Sequence, residues 1–142
     1  MKNAFEEAFK KHHLRSAVIR QTPVALYATD LEGVVLFSEG GVLARLGLQE
    51  GQIVGLSMKD FDGYPQWKAA RDRLVNGEDS VSYIVHHDDP TKPHAGVWAE
   101  LFSPLRGPSG RIKGVVVLTI SLRGAEPYGD CPYGECLAED GG

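Results

Sequence analysis

The apolar residues fall into short blocks punctuated by glycine and proline. Residues 24–29 (Val-Ala-Leu-Tyr-Ala-Thr) and 34–38 (Val-Val-Leu-Phe-Ser) are two such blocks, joined by Asp30-Leu31-Glu32-Gly33. They predict an antiparallel hairpin whose turn uses Gly33 for a positive φ. Neither block alternates cleanly, which implies cover on both faces. Gly40 and Gly41 end the second block. Residues 42–48 then predict a helix of about two turns, 52–56 at most one turn, and Lys59-Asp60-Phe61 a further short piece. Residues 64–76 carry the best helical pattern of this region. Pro65 suits a first turn, Trp67, Ala70, Arg71, Leu74 and Val75 share a face, and Gly77 stands where a helix ends. Residues 80–87, 97–105 and 113–122 predict three more strands, with Gly107-Pro108-Ser109-Gly110 as the turn between the last two. Strands grouped at both ends of a helical middle argue for an α+β fold with an antiparallel sheet.

Residues 1–20 predict an additional helix. Phe5, Phe9, His12, Ser16 and Ile19 recur at steps of four, three, four and three, which makes one narrow stripe, and Thr22-Pro23 ends the pattern. So thin a stripe suits either a helix covering its own domain or one pairing with a second copy. Phe5, Phe9, His12 and Ile19 are therefore the candidate dimer contacts. Residues 123–142 read as a flexible tail: seven of the twenty are glycine or proline and five are acidic. The tail holds a tandem repeat, Pro127-Tyr128-Gly129-Asp130-Cys131 followed by Pro132-Tyr133-Gly134-Glu135-Cys136.

Charge follows the same three-part division. The chain has 142 residues and a formal charge of −4, with +3 in residues 1–20, −3 in 21–122 and −4 in 123–142. A mildly acidic chain lacks the footprint of a nucleic-acid binder. There is neither a secretory h-region nor an apolar run long enough for a membrane helix, so a cytoplasmic location is expected. Both cysteines, Cys131 and Cys136, lie in the tail, so the fold of residues 21–122 depends on no disulfide. Their Cys-x₄-Cys spacing is not the tight zinc knuckle, and two sulfurs do not complete a tetrahedral site.

The order of elements and several local sequences together resemble the PAS sensory domain. Ala28-Thr29-Asp30-Leu31-Glu32-Gly33-Val34-Val35-Leu36-Phe37 is similar to the family's opening hairpin. Leu46-Gly47-Leu48 with Val54-Gly55-Leu56-Ser57 resembles its next stretch. Ser103-Pro104-Leu105-Arg106, Gly110 and Gly114-Val115-Val116 resemble its final hairpin. One departure is Glu39, which stands about where many members have asparagine. The resemblance covers about residues 17–122. It implies a five-stranded antiparallel sheet curled around a pocket, short helices on one face, a preceding N-terminal helix, and a role in sensing or protein contact.

Within that frame, strand alternation sorts the inward residues. Val35 and Phe37 share a face, as do Trp98, Glu100 and Phe102, and Val116, Leu118 and Ile120. On the strand over 80–87, either Ser82, Ile84 and His86 or Val81, Tyr83 and Val85 face inward. The candidate ligand pocket is then Tyr27, Phe37, Trp67, Leu74, Ile84, His86, Trp98, Glu100, Phe102 and Leu118, with His86 or Glu100 as polar anchor. The competing reading has the same aromatics filling a closed core, with His86 and Glu100 at a solvated edge.

The residues also bear on cofactors. Haem-binding PAS domains place their axial histidine on or just after the long helix, and residues 64–76 contain none, so haem is not expected. Flavin-cysteinyl photochemistry needs a cysteine that residues 21–122 lack. Adjacent strand residues point to opposite faces, so His86 and His87 do not share a metal. His87, Asp89 and His94 could meet only if their loop folds back, and its Asp-Pro and Lys-Pro steps read more simply as a polar turn. No catalytic triad, phosphate loop or HExxH is present. The expected activity is thus binding: a small molecule, a protein partner or a second copy, signalled through dimerisation or docking. A ligand-free interaction module is the first alternative, and a metal or redox role for the His87/His94 loop or the tail cysteines the second.

Overall fold

A computed structural model describes residues 3–124; the tandem repeat and both cysteines lie outside the described residues. The elements are α1 (Ala4–Gln21), β1 (Val24–Asp30), β2 (Val35–Glu39), a 3₁₀ turn (Met58–Asp60), α2 (Tyr64–Val75), β3 (Val81–His87), β4 (Gly96–Arg106) and β5 (Ile112–Gly124). The strands form one sheet in the order β2-β1-β5-β4-β3, and every neighbouring pair is antiparallel. This is the expected α+β architecture. Among the described residues no helix is long and apolar enough to cross a membrane.

The β1–β2 turn forms because Asp30 organises it. Its Oδ1 accepts from the backbone N–H groups of Glu32 and Val34, each at 2.9 Å, and Gly33 takes the left-handed conformation at φ 95°. Arg71 of α2 donates to the Leu31 carbonyl at 2.7 Å and lies over the Trp67 ring, which ties the helix to this turn.

Residues 42–48 differ from the expected helix. They form successive turns, as do 52–56. Gly47, Gly51 and Gly55 all have positive φ, so a left-handed residue interrupts the chain every four positions. The segment is held by the sheet instead: Val42 N–H donates to Val24 O, Gly51 N–H to Ser38 O, and Gly55 N–H to Val35 O.

Two apolar clusters pack on the inner face. The larger contains Val35, Met58, Trp67, Ala70, Leu74, Val81, Phe102, Val115 and Val117. The smaller contains Ala25, Val42, Leu43 and Trp98, with Leu46 and Leu48 against it. Strand β5 has the opposite phase to the one expected. Val115 and Val117 are fully buried, whereas Val116, Leu118 and Ile120 face outward. The run 115–120 is apolar at all but one position, so alternation alone does not reveal its phase. The pairing does: Val117 lies between Tyr27 and Phe102, and Thr119 between Ala25 and Glu100.

Helix α1 begins at Asn3, whose side chain accepts from the Glu6 N–H at 2.8 Å, and ends where Thr22 N–H and hydroxyl both return to the Val18 carbonyl. None of its residues is buried. Phe5, Phe9 and His12 are exposed, and Ile19 is half-buried.

Candidate functional site

The two apolar clusters do not merge completely. Between them is a cavity of about 220 Å³. Its walls are drawn from both: Ala25, Leu43, Leu46, Leu48 and Trp98 on one side, Tyr27, Ile53, Met58 and Phe61 on the other. Ser38, His87, His94, Glu100 and Thr119 supply the polar groups. An apolar cavity with a few convergent polar groups is the usual form of a small-molecule site.

The sheet register explains this set. Glu100 pairs with Tyr83 on one side and Thr119 on the other, and Thr119 pairs with Ala25, so these positions share the inner face. No described hydrogen bond or ion pair engages the Glu100 carboxylate, and burial raises its pKa above the ordinary glutamate value. Burial, then the nearby Glu100 charge, also raises the pKa of Tyr27, which keeps that phenol protonated as a donor. The rings of His87 and His94 meet edge to face with centroids 4.5 Å apart. The pKa of His87 is lowered, first by burial and then by His94, against the smaller opposing effects of Asp62 and Asp88. The His94 carbonyl accepts from the Trp98 indole at 2.7 Å, which fixes one wall relative to the loop.

Of the ten candidate pocket residues, the structure brings Tyr27, Trp98 and Glu100 to the cavity. Trp67, Leu74 and Phe102 belong to the closed core beside it. Phe37 is half-buried on β2, away from the lining. Ile84 and His86 require correction: both are exposed, Ile84 by 58 %. The inward set on β3 is Val81, Tyr83 and Val85, continued by His87, because Val81 pairs with buried Phe102 and Val85 with buried Trp98. Leu118 is corrected in the same way, to the outer face of β5.

The reading of the sequence missed Leu43, Leu46, Leu48, Ile53, Met58 and Phe61, all from the irregular segment 41–61. It also missed Thr119, whose position as the one polar residue in the apolar run 115–120 was the available signal. His87 and His94 do come together, but Asp89 Oδ1 is engaged in its own turn, accepting from Thr91 N–H at 3.0 Å and Thr91 Oγ1 at 2.6 Å. Among the described residues no group of three or more histidine, cysteine or acidic side chains is placed to hold a metal ion.

A single antiparallel sheet with an interrupted core on its inner face defines an α+β domain with a ligand-sized cavity. A family model described as the PAS fold matches residues 19–125, and the chain belongs to that family. Solved structures agree on the fold. A sensory box sensor histidine kinase from Vibrio cholerae superposes with a TM-score of 0.57 at 16 % identity, covering 83 % of this chain and 96 % of that one. The Vibrio cholerae VqmA dimer, solved in the absence of target DNA, gives 0.65 at 17 % identity, covering 80 % of this chain and 52 % of that one. VqmA bound to DPO gives 0.65 at 17 % identity, covering 80 % and 57 %. The chain thus spans only about half the length of the VqmA structures. No curated protein matches.

Proposed function

We propose that this PAS domain is a sensor that binds a small molecule between its sheet and segment 41–61, and signals by binding rather than by catalysis. The observation that carries this reading is the cavity of about 220 Å³ with Tyr27, Glu100, His87 and His94 converging on it. The fold-level likeness to VqmA, solved with DPO bound, supports it. Mass spectrometry of small molecules released on denaturing the purified protein tests it. A stoichiometric compound, whose return raises the melting temperature, is the expected result. A protein that releases nothing, and whose melting temperature no small molecule moves, overturns it.

Helix α1 favours a second reading, that of a dimerising module. Phe5, Phe9, Leu14 and Val18 are all more than half exposed, and the Phe5 and Phe9 rings stack 6.5 Å apart. In this reading Phe5, Phe9, His12 and Ile19 meet a second copy of the helix. Light scattering across concentrations separates the readings: dimer mass in ligand-free protein, lost in Phe9→Ser, supports the module. The two activities are compatible, since a ligand that stiffens segment 41–61 would act on Gly41, whose N–H donates to the Thr22 carbonyl at the end of α1.

A further inference from the structure

We propose that the cavity selects a compact organic cation, an ammonium or amidinium group on a small apolar body, with its charge set against the Glu100 carboxylate. This rests on the reading of the cavity as a ligand site and adds the chemistry of what enters it.

The argument starts from charge. Among the described residues, none of the lining is lysine, arginine or aspartate; its titratable members are Tyr27, His87, His94 and Glu100. The Tyr27 hydroxyl is a neutral donor, and burial beside His94 disfavours a charged His87. Glu100, when ionised, therefore supplies the negative charge of the described lining. Asp62 and Asp88, near enough to act on His87, add to it from outside the lining. Arg45 stacks over Trp98 at 5.6 Å but is not part of the cavity wall.

A carboxylate in an apolar site is costly without a partner. Glu100 is half-buried, and among the described residues no hydrogen bond or ion pair to its carboxylate offsets that cost. A cationic ligand would. The walls suit the same class. Tyr27, Phe61 and Trp98 offer aromatic surface for a cation, and Leu43, Leu46 and Ile53 offer apolar surface for its body. A volume near 220 Å³ lies below the range of drug-sized pockets, which run from about 300 Å³ upward, so it limits the body to roughly one ring with a short arm. An anion of the same size would be repelled by the Glu100 carboxylate.

A charge series on one scaffold tests this. Benzylamine, benzyl alcohol and benzoate are titrated by calorimetry at neutral pH into the full chain, stripped of small molecules by unfolding and refolding. Benzylamine is expected to bind about tenfold more tightly than benzyl alcohol, with benzoate weakest. Glu100→Gln is expected to remove the preference for benzylamine over benzyl alcohol. Binding of alcohol or benzoate as tight as that of the amine overturns the cation preference while sparing the cavity reading, as does a Gln variant that keeps the preference. Failure of all three probes to bind overturns the cation proposal, and the release experiment then decides the cavity reading separately. The wild-type series decides the point even if the Gln variant does not fold.

Discussion

The indole nitrogen of Trp67 donates a 3.1 Å hydrogen bond to the hydroxyl of Thr29, and both side chains are fully buried. Thr29 in turn donates to the Asp30 carbonyl at 2.8 Å, so one hydroxyl serves as acceptor for α2 and donor to the hairpin turn. The β1–β2 register shifts between Ala28 and Thr29, at the point where this bond is made. The pair fixes how α2 lies on the sheet, and hence one boundary of the core that leaves the cavity open.

Removing that acceptor strands a buried N–H. Thr29→Val keeps the shape of the side chain but loses the oxygen, and should cost about 1–3 kcal/mol of unfolding free energy. Thr29→Ser retains the oxygen and should lose less. Urea denaturation of the three proteins checks this; a valine variant as stable as the wild type would show that the bond contributes nothing.

Gly114 is buried on β5 opposite Asp30, and a Cβ there would fall on the Thr29 carbonyl oxygen. Gly114→Ala must push β1 and β5 apart or break their ladder. A cost of about 1–3 kcal/mol or more is expected, as for an overpacked core. Gly107→Ala is the control, since its Cβ would meet only the Lys113 Cδ, at an ordinary 3.7 Å. Equal midpoints for the two variants in chemical denaturation would contradict this.

The sequence was most legible where a local constraint has one solution. Asp30 and Gly33 demand a tight turn, and Pro65 and Gly77 bracket a helix, so the hairpin and α2 were readable within a residue or two. The phase of a central strand is not such a constraint. Residues 115–118 are apolar on both faces, and their assignment waits on the partners Tyr27 and Phe102. The same holds for β3, where Ile84 and Val85 are equally apolar and only the pairing with Trp98 selects Val85. The cavity was the least legible feature. Its wall from Leu43 to Phe61 has no regular period to read, because backbone bonds to β1 and β2 hold it in place of its own helix.

Glu39 predicts a pH dependence. It is 8 % exposed at the end of β2, faced by Ser16 and Arg20 of α1 and by Glu50. Arg20 spans to Glu50 at 3.5 Å. Burial, then a hydrogen bond with Glu50 and its charge, raise the Glu39 pKa, while Ser16 and Arg20 oppose them. A carboxyl whose pKa is raised by folding holds its proton more tightly in the folded state. Its contribution is complete below the unfolded value of 4.5 and is lost as pH rises through the folded value. Glu100 acts in the same direction. Glu39→Gln should therefore gain stability relative to wild type as pH climbs from 4.5 toward 8. Melting temperatures of the two proteins across that range check the sign; a difference that is constant with pH would remove Glu39 from the account.

Thr119 offers a direct test of whether the cavity is needed. It lines the cavity from the central strand, opposite Ala25 and Glu100, and none of the described side-chain hydrogen bonds involves it. Thr119→Leu adds apolar volume to an existing void without leaving a described partner unpaired. The fold should survive with its stability unchanged or raised, because filling a cavity restores contacts that its walls lack. Binding of any ligand seated there should fall about tenfold or more, since two bodies then compete for one space of about 220 Å³. Thermal unfolding reads the first effect and calorimetry with benzylamine the second. A leucine variant that melts like the wild type yet binds benzylamine with undiminished affinity would place the ligand elsewhere on the domain.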